Sequence, residues 1–207
     1  MNITTRRTLI SVFSGAVAGL IVSLLIMGIV SPEEKTPEEK IKEFYDIETE
    51  VMVSPHHLRK HLNDENRDFI LVDVRSEEEY LEEHIKSAIN IPVYKNKYES
   101  DYGAVERLVE EFSKLDKEKN IVVYCYSGPC MSGRKVGKVL ADSEIYVKHL
   151  GVGWNEWRYH WNLWNHEHEW AETNVEDYIE SGVASESSPN EEYVGSGGCA
   201  VDGILGC

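Results

Sequence analysis

The sequence predicts an α/β domain built on a central parallel sheet, preceded by one transmembrane helix and followed by a disordered acidic tail. Three observations carry this. Short apolar runs alternate with segments of helical period between residues 50 and 170. An uncharged stretch of 22 residues, Leu9 to Val30, lies ahead of them. From Glu172 onward there are eight acidic residues and no Lys or Arg. Strands that alternate with helices need crossover connections, and these produce a parallel sheet covered on both faces.

At 1.5 Å per residue the uncharged stretch spans about 33 Å, enough for a hydrocarbon layer of roughly 30 Å. Arg6 and Arg7 precede it and Glu33 and Glu34 follow, so the positive-inside rule places the N-terminus in the cytoplasm and the rest outside. A cleaved secretory signal is the rival reading, but its apolar region should run to only about 7–15 residues. Gly15 and Gly19 form a GxxxG pair that would let two such helices approach closely. Residues 1–32 are therefore expected to be the cytoplasmic N-terminus and anchor. Residues 33–49 are expected to be a charged stalk, with a short helical pattern at Ile41, Phe44 and Tyr45.

The domain proper is expected over residues 50–170. "EVMV" reads as a short strand, and Ser54-Pro55 opens a helix carrying Leu58 and Leu62. "DFILVDV" is a continuous apolar run of the kind a strand buried on both faces needs. Ser76 and Glu79 form a capping box for the next helix. "AINIPV" is a strand, Val105, Leu108, Val109, Phe112 and Leu115 recur at helical spacing, and "NIVVYC" is the next buried strand. Val136, Val139 and Leu140 mark a helix and "IYVKHL" a strand. Trp154, Trp157, Trp161 and Trp164 recur at three and four, the spacing of a packed helical stripe rather than a ligand box. Residues 171–207 form the acidic Gly/Ser-rich tail. A formal charge of −16 argues against nucleic acid as a partner.

The chemistry concentrates in "CYSGPC". Cys125 ends a buried strand, at the edge where α/β sheets place ligands, and a helix begins near Met131 or Ser132. Backbone N–H groups and the helix N-terminus are expected to face the sulfur and lower its pKa, so that the thiolate needs no separate base. Tyr126, Ser127, Gly128, Pro129, Cys130 and Met131 are the expected substrate-binding loop.

"LVDVRSEEEYLEEHIKSAINIPV", "IVVYCYSGPCMSGRKVGKVLA" and "HLGVGWNEW" resemble the three signature regions of the rhodanese-like domains. Asp73, Arg75, Glu79, Tyr80, His84, Ile85, Ala88, Asn90, Ile91 and Pro92 follow the order of the first signature, and Gly151, Gly153 and Trp154 resemble the closing one. One Gly usual before the His is Glu83 here. The resemblance implies a three-layer rhodanese-like domain in which Cys125 is the catalytic cysteine. It would accept sulfane sulfur as a persulfide from a small sulfur donor and pass it to a thiol or an acceptor protein, with no cofactor. Many relatives carry "C-x-S-G-x-R-S", and Cys130 stands where they have arginine. A cationic contact to thiosulfate is then lost unless Arg134 or Lys135 supplies it. The related phosphatase and arsenate-reductase branch has an arginine six positions after the cysteine, where Met131 stands.

Cys130 reads as a resolving thiol, as a second sulfur carrier or as a small apolar filler. Cys199 and Cys207 read as a local disulfide or plain tail thiols, or else as a mobile relay arm. The residues from Glu172 to Cys199 span roughly 28 Å as a flexible chain. His160, His166 and His168, and the pair His57 and His61, read as solvated surface, with no metal expected. Asp73 and Arg75 read first as an ion pair that orders the loop, and otherwise as catalytic charges. Two further readings stand beside sulfur transfer: a thiol–disulfide protein using Cys125 and Cys130, and a catalytically silent interaction module on the same fold. The bilayer is the remaining expected partner.

Overall fold

The structure is a computed structural model. It describes residues 2–30, 34–64, 66–165 and 172–183; within residues 3–30, side chains are described at 3, 5 and 12–23. The chain divides into two units, Met1–Phe44 and Tyr45–Cys207. Helix α1 (Ile3–Val30) is one run of 28 residues. Among the described residues no helix is long and apolar enough to cross a membrane. The side chains of 6–11 and 24–30, which the anchor reading needs, lie outside the described residues. Helix α2 (Pro37–Val51), with no buried residue, spans most of the segment expected as the stalk. The Thr36 hydroxyl accepts from Glu39 N–H at 3.2 Å while Thr36 N–H donates to the Glu39 carboxylate at 2.8 Å, a capping box with proline at the first helical position. The helix therefore starts before the predicted apolar pattern. It also takes in Glu50 and Val51, where the sequence predicts the start of the domain and its first strand.

The elements then run β1 (Met52–Val53), α3 (Pro55–His61), β2 (Phe69–Asp73), α4 (Glu77–Glu82), β3 (His84–Ile85) and β4 (Ile89–Asn90). A hairpin of β5 (Tyr94–Asn96) and β6 (Glu99–Ser100) leads to α5 (Val105–Ser113), β7 (Asn120–Tyr124), α6 (Met131–Ala141), β8 (Val147–Leu150), α7 (Trp154–Tyr159) and α8 (Trp161–Trp164). A 3₁₀ turn over Val175–Tyr178 and β9 (Ile179–Glu180) close the described chain. The sheet order is β1-β8-β7-β2-β4, all parallel, with the two predicted apolar runs at its centre.

Period-two alternation sorts those central strands onto two cores. Leu71, Val122 and Tyr124 join Leu58, Leu62, Ile85 and the four tryptophans on one face. Val72, Ile121, Val123 and Cys125 meet Leu108, Phe112, Val136 and Leu140 on the other. The tryptophan stripe is a packed stripe: Trp157 and Trp164 stack at 4.9 Å and Trp161 meets Trp164 edge-on at 4.7 Å. Under α6, a β-carbon at Gly133 would stand 2.6 Å from the buried His149 ring. This contact explains a glycine inside a helix, where it forgoes roughly 0.5–1 kcal/mol relative to alanine.

The expected tail begins too early. Ile179 and Glu180 pair antiparallel with Ile85 and His84, and Tyr178 stacks on Trp161 at 5.4 Å. Acidic composition reports the average solvation of a segment, whereas Val175, Tyr178 and Ile179 form an apolar edge that the tryptophan core covers. The disorder expected beyond residue 183, with Cys199 and Cys207, lies outside the described residues, as do His166 and His168. Among the described residues no group of three or more His, Cys, Asp or Glu is placed to hold a metal.

Candidate active site

Alternation along β7 turns Tyr124 toward one core and Cys125 toward the other, where α6 begins. Cys125 is 0% exposed and Cys130, the residue before α6, is half-buried. The two thiols are free and their sulfurs lie 3.1 Å apart. The turn between them closes with Cys130 N–H on the Ser127 carbonyl at 3.0 Å. Trp154 N–H donates to the Cys125 carbonyl and Asn155 N–H to the Tyr126 carbonyl, each at 2.8 Å, so the start of α7 holds the loop. Glu156 accepts from both Gly128 N–H (3.1 Å) and Gly153 N–H (2.9 Å) through one carboxylate oxygen. The Ser132 hydroxyl lies 3.3 Å from the Cys130 sulfur and also meets the Tyr94 and Tyr102 hydroxyls at 2.7 and 2.5 Å.

The other face carries a buried charge layer. Asp73 accepts from Arg75 Nη2 at 2.7 Å and Nε at 3.0 Å, from Arg75 N–H, and from the Tyr124 hydroxyl at 2.7 Å. Arg75 also donates to the Glu83 carbonyl and lies over the Trp154 ring at 4.5 Å. The guanidinium pKa is raised: burial works against it, and Asp73 outweighs the burial. This is the ion-pair geometry, and it sits beneath the loop through Tyr124, the neighbour of Cys125.

The chain matches the rhodanese-like domain family over residues 54–160. It belongs to that family. It is 33% identical over 97 residues to the thiosulfate sulfurtransferase GlpE of Coxiella burnetii, covering 45% of this chain and 76% of that protein. It is 34% identical over 88 residues to the HTH-type transcriptional regulator Rv0324 of Mycobacterium tuberculosis, covering 42% of this chain and only 34% of the regulator. Among solved structures it is similar to the BH2092 protein from Bacillus halodurans, with 27% identity, 60% of this chain and 82% of that chain covered, and a TM-score of 0.45.

Within this rhodanese-like loop the expected low thiol pKa at Cys125 is corrected. Burial first, and then the hydrogen bond with Cys130, push Cys125 up to about 12, although Ser132 and the Tyr126 N–H act in the opposite sense. At Cys130 burial also raises the pKa, but hydrogen bonds with Ser132 and Cys125 prevail and leave it below the usual thiol value. The helix N-terminus thus favours the outer sulfur, and desolvation keeps the inner one protonated. The two cations of the helix that could replace the lost contact are engaged elsewhere. Arg134 donates to the Gly128 and Cys130 carbonyls at 2.9 and 3.2 Å, and the Lys135 ammonium lies 4.5 Å from the Tyr102 ring centroid. The loop N–H groups are only partly turned inward. Tyr126 N–H reaches the sulfurs, while Gly128 and Cys130 N–H are taken by Glu156 and Ser127.

Sequence reasoning missed Glu156, Ser132, Tyr94 and Tyr102. Glu156 had a local signal, since it stands at the third helical position after Gly153 in "GWNE". The other three come together only through tertiary contacts. The thiol order has a direct check. Timed iodoacetamide labelling with peptide mapping at pH 8 is expected to modify Cys130 at least about tenfold faster than Cys125. Because the Cys125 pKa is raised, its thiolate grows by about tenfold per pH unit through pH 10, while Cys130 levels off below the usual thiol value. Equal rates, or Cys125 reacting first, contradict this assignment.

Proposed function

We propose that this protein is a sulfurtransferase that holds sulfane sulfur as a persulfide on Cys125 and delivers it to a thiol acceptor. The observation that supports this best is the Cys125 sulfur itself, set at the end of a central strand with an ionisable thiol 3.1 Å away. The Cys130 thiolate takes the Cys125 proton. The resulting Cys125 thiolate attacks the outer sulfur of the donor, the bond from that sulfur to the rest of the donor breaks, and the rest leaves as a thiolate or as sulfite. An acceptor thiolate then removes that outer sulfur and restores Cys125. A thiosulfate sulfurtransferase among the relatives supports the reaction class.

The donor we favour is a thiol persulfide. Position 130 supplies no arginine, Arg134 is held by loop carbonyls, and Glu156 occupies the Gly128 N–H that an anion would use. A cavity of about 180 Å³ beside Tyr126, lined by Glu79, Glu82, Glu83 and the Asp73-paired Arg75, offers such an anion no unpaired cation either. The test is thiocyanate formation from cyanide with glutathione persulfide or thiosulfate as donor. The persulfide is expected to give a kcat/KM at least about tenfold higher. Cys125→Ser is expected to lose at least about 100-fold with either donor. A Cys125→Ser chain as active as the wild type sinks the proposal; an inert wild type favours the silent interaction module.

We also propose that Leu9 to Val30 anchors the domain on the outer side of a membrane. Support comes from the uncharged run itself and the Arg6, Arg7 against Glu33, Glu34 asymmetry. Extraction of the full chain from membranes by alkaline carbonate would refute the anchor, and protease resistance of the domain in intact cells would refute its orientation.

A further inference from the structure

Cys130, half-buried and directly before α6, holds its sulfur 3.1 Å from that of the buried Cys125. That separation is already the approach distance of a near-attack pair, and a sulfur–sulfur bond of about 2.05 Å requires roughly a further 1 Å of closure. Cys125 is 0% exposed, so an external thiol reaches its sulfur only if the surroundings move, whereas the Cys130 sulfur is already beside it. The Ser132 hydroxyl, 3.3 Å from the Cys130 sulfur and fixed by Tyr94 and Tyr102, stands ready to stabilise a thiolate there. The depressed pKa of Cys130 agrees with this arrangement.

We propose that Cys130 resolves the Cys125 persulfide, releasing sulfide and leaving a Cys125–Cys130 disulfide that a dithiol reductant reopens. The inference rests on the reading that Cys125 accepts sulfane sulfur, and it changes the product: the sulfur leaves as sulfide instead of passing to an acceptor as a persulfide. Cys130 first loses its proton to water. Its thiolate attacks the Cys125 sulfur, the bond from that sulfur to the outer sulfur breaks, and the outer sulfur departs with the electron pair as HS⁻. The two cysteines are oxidised by two electrons and the sulfane sulfur is reduced by two. A dithiol then returns both electrons through a mixed disulfide, becoming a disulfide itself and leaving both loop cysteines as thiols. Intramolecular attack has a large advantage, because effective molarities of well-placed pairs reach about 10⁵ M or more.

The test uses the full chain with Cys199→Ser and Cys207→Ser, so that only the loop thiols remain. Reduced protein is loaded anaerobically with glutathione persulfide or thiosulfate, freed of small molecules, and followed by sulfide release and intact mass. The expected result is one sulfide and one loop disulfide per loaded chain. Adding Cys130→Ser, or Cys130→Ala in a second chain, is expected to leave the extra sulfur on Cys125 and slow sulfide release at least about 100-fold. Sulfur that stays bound to the intact loop overturns the inference while leaving the carrier reading standing. So does release from both Cys130 variants at the rate of the intact loop. Sulfur mapped to Cys130 in a Cys125→Ser chain overturns the assigned roles. If no chain gains sulfur from either donor, the carrier reading falls and the inference with it.

Discussion

Replacing Asp73 by alanine is expected to lower the unfolding free energy by about 3–5 kcal/mol, the range for removing one partner of a buried ion pair. Arg75 is 2% exposed and pinned between Asp73, the Glu83 carbonyl and the Trp154 ring, so its charge would be left largely desolvated without its partner. The variant also strips the Tyr124 hydroxyl of its acceptor, one residue before Cys125. Against a total of about 5–15 kcal/mol for an ordinary domain, the loss is enough to unfold a marginal one. The double variant Asp73→Leu/Arg75→Met is expected to recover most of it, because it removes both charges and the desolvation each carries. Urea unfolding followed by tryptophan fluorescence measures both. A single-variant loss below about 1 kcal/mol, the range of an exposed pair, would contradict the structural role of this layer.

The second large effect is expected at Gly153. A β-carbon there would stand 2.2, 2.3 and 2.6 Å from Ser127 N, Cα and C. Those atoms are backbone and cannot rotate away, so the loop itself must move. With it go the hydrogen bonds from Trp154 and Asn155 to the loop carbonyls and the shared grip of Glu156. The Gly153 φ of −108° is open to any residue, so the effect is steric. Gly153→Ala is expected to reach or exceed the upper end of the about 1–3 kcal/mol typical of overpacking. Sulfur uptake at Cys125 should fall by about 100-fold, since a displacement near 1 Å suffices for that. Gly151→Ala is the control. Its β-carbon would approach the Val53 carbonyl at 3.3 Å, which a few tenths of an ångström of adjustment relieves. Equal losses in the two variants would contradict the close-approach account.

Much of the fold was legible because it rests on local pattern. The apolar runs around Phe69–Asp73 and Asn120–Tyr124 became the sheet centre, and Ser76 capped α4 by accepting from Glu79 N–H. The four tryptophans packed as their spacing said. The capping box at Thr36 and Glu39 is equally local, but the charged composition around it masks the helix it starts. By contrast, β9 pairs with β3 across more than 90 residues, and no local period announces a two-residue strand. The partner of Asp73 followed from register: Asp73 lies opposite Tyr124, so the hydroxyl and carboxylate fall on the same face.

The sequence by itself determined the family, the parallel sheet and the position of Cys125 at the end of a central strand. Those depend on hydrophobic period and on signature residues close together in the chain. Only the tertiary structure decided how the two loop cysteines divide their chemistry. Position at a helix N-terminus is a local property and predicts an acidic thiol. Burial is a collective one, and here it protonates Cys125 while the turn leaves Cys130 half-exposed with Ser132 beside it.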